Sequence, residues 1–208
     1  MKKIAQGFLL VLEGVDGSGK TTLMERLVIV LRAKGYDVLA TKEPGGTPFG
    51  KEIRHLVQHS PTKLVPEAEF LLFAADRAHH IKTVIQPALS KGMIVISDRM
   101  ADSSMAYQGY GRALDRSMIA SVNTWVMQGV EPDLILYVKV DWHIAWERIY
   151  KRGETLTKFE QEKKDFFERV AAGFDEIFAH KPNGSILDGA QDQDTLFEQA
   201  LEVIEKRL

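Results

Sequence analysis

Gly14, Val15, Asp16, Gly17, Ser18, Gly19, Lys20 and Thr21 fill every fixed position of the pattern G-x-x-x-x-G-K-[ST]. Glycines at that spacing let several backbone N–H groups converge on one concavity, and the positive end of a following helix adds to the field there. A polyphosphate suits such a cradle. Lys20 reaches its β- and γ-phosphates, and the Thr21 hydroxyl holds Mg²⁺. The flanks agree, because Phe8–Leu12 is a short apolar run of the kind a buried parallel strand needs and Thr22 opens a helical pattern.

A second group of residues suits a second anion. The guanidinium forks of Arg54 and Arg99 match phosphate oxygens bidentately and stay charged at any relevant pH. Asp98, directly before Arg99, is placed to hold Mg²⁺, directly or through water, and to help fix Arg99. Phe73 and Arg77 stand four apart on one helical stretch and so share a face. An arginine beside a core aromatic has to look into a cavity or at a partner. Glu13 ends the first strand at the same rim, where it either acts through a water or anchors the loop.

The elements that must position these groups alternate. Strand-like runs occur at Phe8–Leu12, Val38–Thr41, Met93–Ser97, Leu134–Val140 and Ser185–Leu187. Helical stretches span Thr22–Lys34, Pro66–Leu89, Leu114–Gln128, Trp142–Lys151, Phe159–Phe178 and Asp194–Arg207. Such alternation predicts an α/β protein with a five-stranded parallel sheet covered by helices on both faces. Gly35 after Lys34, and Gly92 after Lys91, are C-terminal stop signals. Ligands of these sheets sit at the carboxyl ends of the strands. Four polar clusters lie there besides the glycine loop: 41–47 with Arg54, 97–112, the basic stretch 148–158, and 188–190.

With 208 residues and no linker or repeat, the chain reads as one domain, 1–208. Its 27 Lys and Arg against 29 Asp and Glu leave a net charge of −2, which argues against a protein that coats nucleic acid. There is no cysteine, so disulfides and thiolate metal sites are excluded. Lys2 and Lys3 precede an apolar run that is too short for a signal peptide, and Glu13 interrupts it. No segment approaches the length of a membrane span. A cytoplasmic location is expected. The adjacent His79 and His80 point to different helix faces, a poor arrangement for chelation.

Taken in order, the stretches 13–22, Lys42–Thr47, Leu72–Arg77, Asp98–Arg99 and Ala106–Arg112 resemble the thymidylate kinases, nucleoside monophosphate kinases with a phosphate-loop (P-loop) kinase fold. The resemblance runs from Phe8 to about Ala190. It implies transfer of the ATP γ-phosphate to dTMP on the route to dTTP, with Mg²⁺ and a homodimer. In that reading the ATP side comprises Gly14–Thr22, Arg148, Asp188 and Ala190. The dTMP side comprises Asp16, Glu43, Pro44, Arg54, Phe73, Arg77, Arg99, Ser103, Ser104, Tyr107 and Gln108. Asp16 accepts from the sugar 3′-hydroxyl, Phe73 stacks on thymine, Arg77 bonds the base edge, and Tyr107 occupies the space of a 2′-hydroxyl. Lys20, Asp98, Arg99 and Arg152 carry the catalysis. A short mobile lid is expected at about 148–160, its phosphate-reaching cation being Arg148, Arg152 or Lys158, with Arg152 ranked first.

The chain departs from the family pattern in three places. Lys42 replaces an arginine and loses the fork, Lys158 replaces a lid arginine, and Met100 replaces a Tyr or His. Rival readings are a kinase for another nucleotide, a nucleotide switch without transfer activity, and an inactive relative.

Overall fold

The computed structural model describes residues 2–153 and 155–208; Glu154, inside the expected lid, lies outside the described residues. Five parallel strands form one sheet in the order β2-β3-β1-β4-β5. They are β1 (Phe8–Glu13), β2 (Val38–Lys42), β3 (Ile94–Asp98), β4 (Leu134–Lys139) and β5 (Gly184–Asp188). Every residue of β1 is buried, as its uninterrupted apolar run requires of a strand covered on both faces.

The period-two alternation sorts the core into two layers. Leu9 and Val11 join Val95, Ile135 and Tyr137 on one face, against Phe166 and Phe174. Leu10 and Leu12 join Ile94, Ile96, Leu134 and Leu136 on the other, against Leu23, Leu27 and Ile204. Each fully buried Leu or Ile is worth about 1.5–3 kcal/mol, so the two layers set the register of the sheet. In that register Leu12 lies beside Asp98, and Lys42 beside Asp98 on the far side. The polar ends of β1, β2 and β3 are thereby brought to one rim.

The helices are α1 (Lys20–Ala33), α2 (Pro48–His59), α3 (Pro66–His80), α4 (Gln86–Leu89), α5 (Ala101–Ser104), α6 (Arg116–Met127), α7 (Trp142–Lys151), α8 (Lys164–Phe178) and α9 (Gln193–Glu205). Helix α2 was not among the expected helices. Its start signal was present: Thr47 Oγ1 accepts from Gly50 N at 2.9 Å, with Pro48 opening the first turn. The single stretch expected over Pro66–Leu89 is broken by a π-helical turn, Ile81–Ile85, before α4. Pro87 provides no N–H there, so the ladder shifts register. A second π turn, Met105–Gly111, continues α5 through what read as a polar loop.

Helix α8 starts at Lys164, not at Phe159. Thr157 N donates to Glu160 Oε2 at 2.8 Å and Glu160 N to Thr157 Oγ1 at 3.3 Å, a reciprocal turn that folds Phe159 inward. No helix among the described residues is long and apolar enough to cross a membrane.

Candidate active site

A cleft of about 1040 Å³ opens along the carboxyl ends of the strands. That is at the upper end of the range for one drug-sized ligand, roughly 300–1000 Å³, and its lining takes in both the phosphate loop and Phe73, Tyr107 and Gln108. The stretch Asp16–Thr22 lines it. Gly17, at φ +79°, would place a Cβ 2.4 Å from the Ala145 carbonyl, so no larger residue fits the turn.

Lys20 is parked across this loop, donating to Val15 O at 2.8 Å, Gly14 O at 3.1 Å and Ser18 Oγ at 3.3 Å. Burial, and after it the charge of Arg99, push its amine down to about 8. Thr21 Oγ1 donates to Asp98 Oδ2 at 3.1 Å. The other carboxylate oxygen, Asp98 Oδ1, is buried with no hydrogen-bond partner among the described residues. A hydroxyl and a carboxylate with a spare oxygen form a hard-oxygen donor set that fits a divalent cation such as Mg²⁺.

Arg99 lines the same cleft, its guanidinium held against the phosphate loop. It adopts φ +73°, a left-handed conformation that costs a non-glycine residue about 1–2 kcal/mol. The surroundings over-determine it. Arg99 N donates to Leu12 O at 2.9 Å and Ser97 Oγ to Arg99 O at 2.8 Å. Its guanidinium donates to Gly14 O (2.7 Å), Ser103 Oγ (2.9 Å), Asp16 Oδ1 (2.7 Å) and Tyr107 OH (3.2 Å). Asp98, expected to help fix Arg99, acts on it through its charge, and these partners supply the hydrogen bonds.

Burial alone would raise the Asp16 carboxyl, but the charges of Arg99 and Lys20 outweigh it and hold the group at about 2. Tyr107 OH donates to Asp16 Oδ2 at 3.1 Å, which sets the phenol between the acid and the arginine. Arg54 Nη1 donates to Pro44 O at 3.1 Å. Burial and the like charge of Arg99 both push Arg54 below the ordinary arginine range. Two guanidiniums that repel each other across a cleft mark a place where an anion is favoured.

The open question at Glu13 is resolved toward an anchoring role, although the tethered segment follows β3. The Glu13 carboxylate accepts from Met100 N at 2.8 Å, Ser103 N at 3.2 Å and the Ser103 hydroxyl. Burial and the nearby Asp102 raise it to about 7. The folded state therefore binds more protons than the unfolded chain between about pH 4.5 and 7, and Glu13 makes the protein lose stability as pH rises through that window. Glu13→Gln removes this contribution. Urea midpoints at pH 5 and pH 8 should show wild type losing stability relative to the variant on going to pH 8; parallel changes would contradict the assignment.

At the far end of the cleft, Phe73 lies 5.9 Å from Phe159, ring centroid to centroid, and Phe159 lies 5.9 Å from Tyr107. Sequence reasoning missed Phe159, which reaches the cleft only because helix α8 starts late. Arg77 lines the cleft as expected, but its side chain is 2 % exposed and pairs with Glu43. Glu43 itself, expected on the acceptor side, is held by Arg77 and His80. Asn123, also missed, accepts from Arg77 Nη1 at 2.7 Å. Ser104 Oγ accepts from Arg77 Nη2 at 3.1 Å, and Gln108 Nε2 donates to Glu69.

Of the three lid cations, Arg148 Nη1 donates to Gly189 O at 2.9 Å and Arg152 Nη2 to Glu160 Oε1 at 2.6 Å; both line the cleft. Lys158 does not, because its amine is turned to Thr62 O at 2.7 Å. Asp188 caps the turn after β5 by accepting from Ala190 N at 2.9 Å. Gly189 and Gln191, in place of Asp188 and Ala190, form the wall there. Both corrections follow from chain direction at a turn, which residue type does not reveal.

Comparison with known proteins places the chain among its relatives. A family model described as thymidylate kinase matches residues 12–200. A thymidylate kinase from Halothermothrix orenii is 44% identical over 174 residues, covering 83% of this chain and 84% of the relative. One from an Exiguobacterium species is 39% identical over 204 residues, covering 97% and 96%. The crystal structure of thymidylate kinase from Ehrlichia chaffeensis superimposes with a TM-score of 0.79 at 31% identity, covering 96% of this chain and 98% of that one. With its phosphate loop, facing arginines and five-stranded parallel sheet, the chain belongs to the thymidylate kinase family.

Proposed function

We propose that this chain, acting as a single domain, transfers the γ-phosphoryl group of ATP to the phosphate of dTMP, giving dTDP and ADP. The observation that carries this reading is one cleft lined both by the Asp16–Thr22 stretch with Lys20 and by Arg54 and Arg99. ATP lies with its phosphates on Gly14–Thr22 and its base toward Arg148, Gly189 and Gln191, on the turn shaped by Asp188 and Ala190. The phosphate of dTMP lies between Arg54 and Arg99. Its sugar meets Asp16 and Tyr107, and its thymine meets Phe73, Arg77, Ser104 and Gln108, flanked by Glu43, Pro44 and Ser103.

Phosphoryl transfer asks mainly for positioning and charge neutralisation. Asp16 is ionised and already near Arg99, so an arriving phosphate draws the guanidinium away while Asp16 accepts from the 3′-hydroxyl. Lys20 leaves its carbonyl partners for the triphosphate, whose charge holds the amine protonated. Thr21 and Asp98 would hold Mg²⁺, partly through water. When bound, the ion neutralises charge on the β- and γ-phosphate oxygens. Closure of the 148–160 segment brings Arg152 over the phosphates and excludes water. A cytoplasmic location belongs to the same proposal.

The test is a panel of monophosphates (dTMP, dUMP, dCMP, AMP and GMP) with ATP and Mg²⁺. Transfer to dTMP by far above the others is expected. Transfer to a purine monophosphate instead, or ATP bound and never consumed, would sink the reading.

A homodimer completes the proposal. Leu71 on α3 and Trp125 on α6 are 57% and 79% exposed, although α3 and α6 pack side by side. Large apolar side chains on adjoining helices suit a self-complementary interface. Trp125→Glu should convert a dimer to a monomer in sedimentation equilibrium, with the fold retained by circular dichroism. A wild-type monomer would refute it.

A further inference from the structure

Arg77 has five N–H donors. Among the described residues four are committed: Nε to Glu43 Oε2 (2.8 Å), Nη1 to Asn123 Oδ1 (2.7 Å), and Nη2 to Met100 O (2.9 Å) and Ser104 Oγ (3.1 Å). One Nη1–H has no partner among the described residues, and the side chain lines the cleft. A single remaining donor reads a ligand only if the fork is held still. Asn123 accepts from one side, and Glu43 from the other.

Glu43 is held in turn. Its Oε1 lies 3.0 Å from His80 Nδ1, and His80 Nε2 lies 2.6 Å from Thr41 Oγ1. A carboxylate oxygen accepts, so the proton is assigned to Nδ1, while Nε2 shares a hydrogen bond with the Thr41 hydroxyl. His80 and Glu43 are 0% and 3% exposed, so water does not compete for these bonds. The 43–47 loop is pressed onto the ring: a Cβ on Gly46 would fall 2.4 Å from His80 Nε2 and 2.6 Å from Thr41 Oγ1. The chain Thr41–His80–Glu43–Arg77 thus runs from β2, across α3, to the base end of the cleft. Among the described residues these four side chains make no hydrogen bond to the phosphate loop or to Arg99.

We propose that His80 is a positioning residue for nucleobase selection, acting through Glu43 to aim the last free N–H of Arg77 at a carbonyl acceptor on the base. The inference rests on the proposed reading of Arg77 as the base reader. A pyrimidine with a carbonyl at C4 accepts that N–H, whereas cytosine presents an amino donor there and is rejected.

Two amide substitutions separate this role from plain packing. The asparagine amide nitrogen falls near the position of Nδ1, and the glutamine amide nitrogen near that of Nε2. His80→Asn therefore still donates to Glu43, and His80→Gln does not. The readout is the ratio of kcat/KM for dTMP to that for dCMP, with the KM for ATP as control. His80→Gln should lower the ratio by about tenfold or more, chiefly through KM for dTMP, as expected when a hydrogen bond to a charged group is lost. His80→Asn should keep the ratio within about twofold of wild type, with KM for ATP unchanged in both.

Loss of the ratio in both variants, or in neither, overturns the proposal, because packing alone does not distinguish the two nitrogens. Arg77→Ala is the parallel arm. If it leaves the ratio at the wild-type value, the base-reading role of Arg77 has failed; if it collapses the ratio while His80→Gln does not, the relay alone has failed.

Discussion

Arg99→Ala should lower kcat/KM for dTMP by about a thousandfold while leaving the affinity for an ATP analogue within about twofold. The guanidinium is the centre of the acceptor wall, bonded to Asp16, Ser103, Tyr107 and the Gly14 carbonyl. Its removal takes away a bidentate phosphate partner. It also leaves the Asp16 carboxylate, now held at about 2 by Arg99 and Lys20 against burial, facing the acceptor phosphate without that cover. Both effects fall on dTMP. Steady-state kinetics for dTMP, with calorimetric titration of the ATP analogue, would check this. Equal losses on the two substrates would overturn the acceptor-side assignment.

A companion variant separates backbone from side chain. Because residue 99 sits at φ +73°, Arg99→Gly relieves strain that Arg99→Ala retains. The glycine variant should be the more stable by about 1 kcal/mol in urea unfolding, with the same kinetic defect.

Lys20→Met should reduce kcat by about a thousandfold with a much smaller loss of ATP affinity, since main-chain amides still cradle the phosphates. The parked lysine carries a second signature. Its amine lies at about 8 in the ligand-free protein, pushed down by burial and Arg99. Between about 8 and 10.5 the unfolded chain binds more protons than the native state, so Lys20 makes stability rise with pH across that window. A bound triphosphate restores the charged form. ATP-analogue binding at pH 8 should therefore take up protons, read as a dependence of the calorimetric heat on buffer ionisation enthalpy. Lys20→Met should abolish that uptake, and an unchanged uptake in the variant would assign it to another group.

These expectations differ in how much of their basis a one-dimensional reading can reach. The phosphate loop was legible because its ligands are consecutive residues: glycine positions and a following helix specify the amide cradle locally. The strands were legible for a similar reason, with boundaries shifted by at most one residue. Helix α2 was not among the expected helices although Thr47 and Pro48 announce it. The π turns at Ile81–Ile85 and Met105–Gly111 depend on how long helices settle against the sheet, which periodicity does not report.

The sequence by itself determined the parallel α/β architecture, the phosphate cradle, and the list of arginines and carboxylates at one rim. Tertiary structure decided which of those charges meet. Glu13 reaches the segment after β3 because β1 lies beside β3 with Leu12 level with Asp98. Glu43 joins His80 and Arg77 across 34 or more residues of chain. Lys158 turns to Thr62 while Phe159 turns inward. The physical reason is that backbone amide geometry follows from adjacent residues, whereas the partner of a buried charge is set by strand order and register, and those are chosen by the whole apolar core.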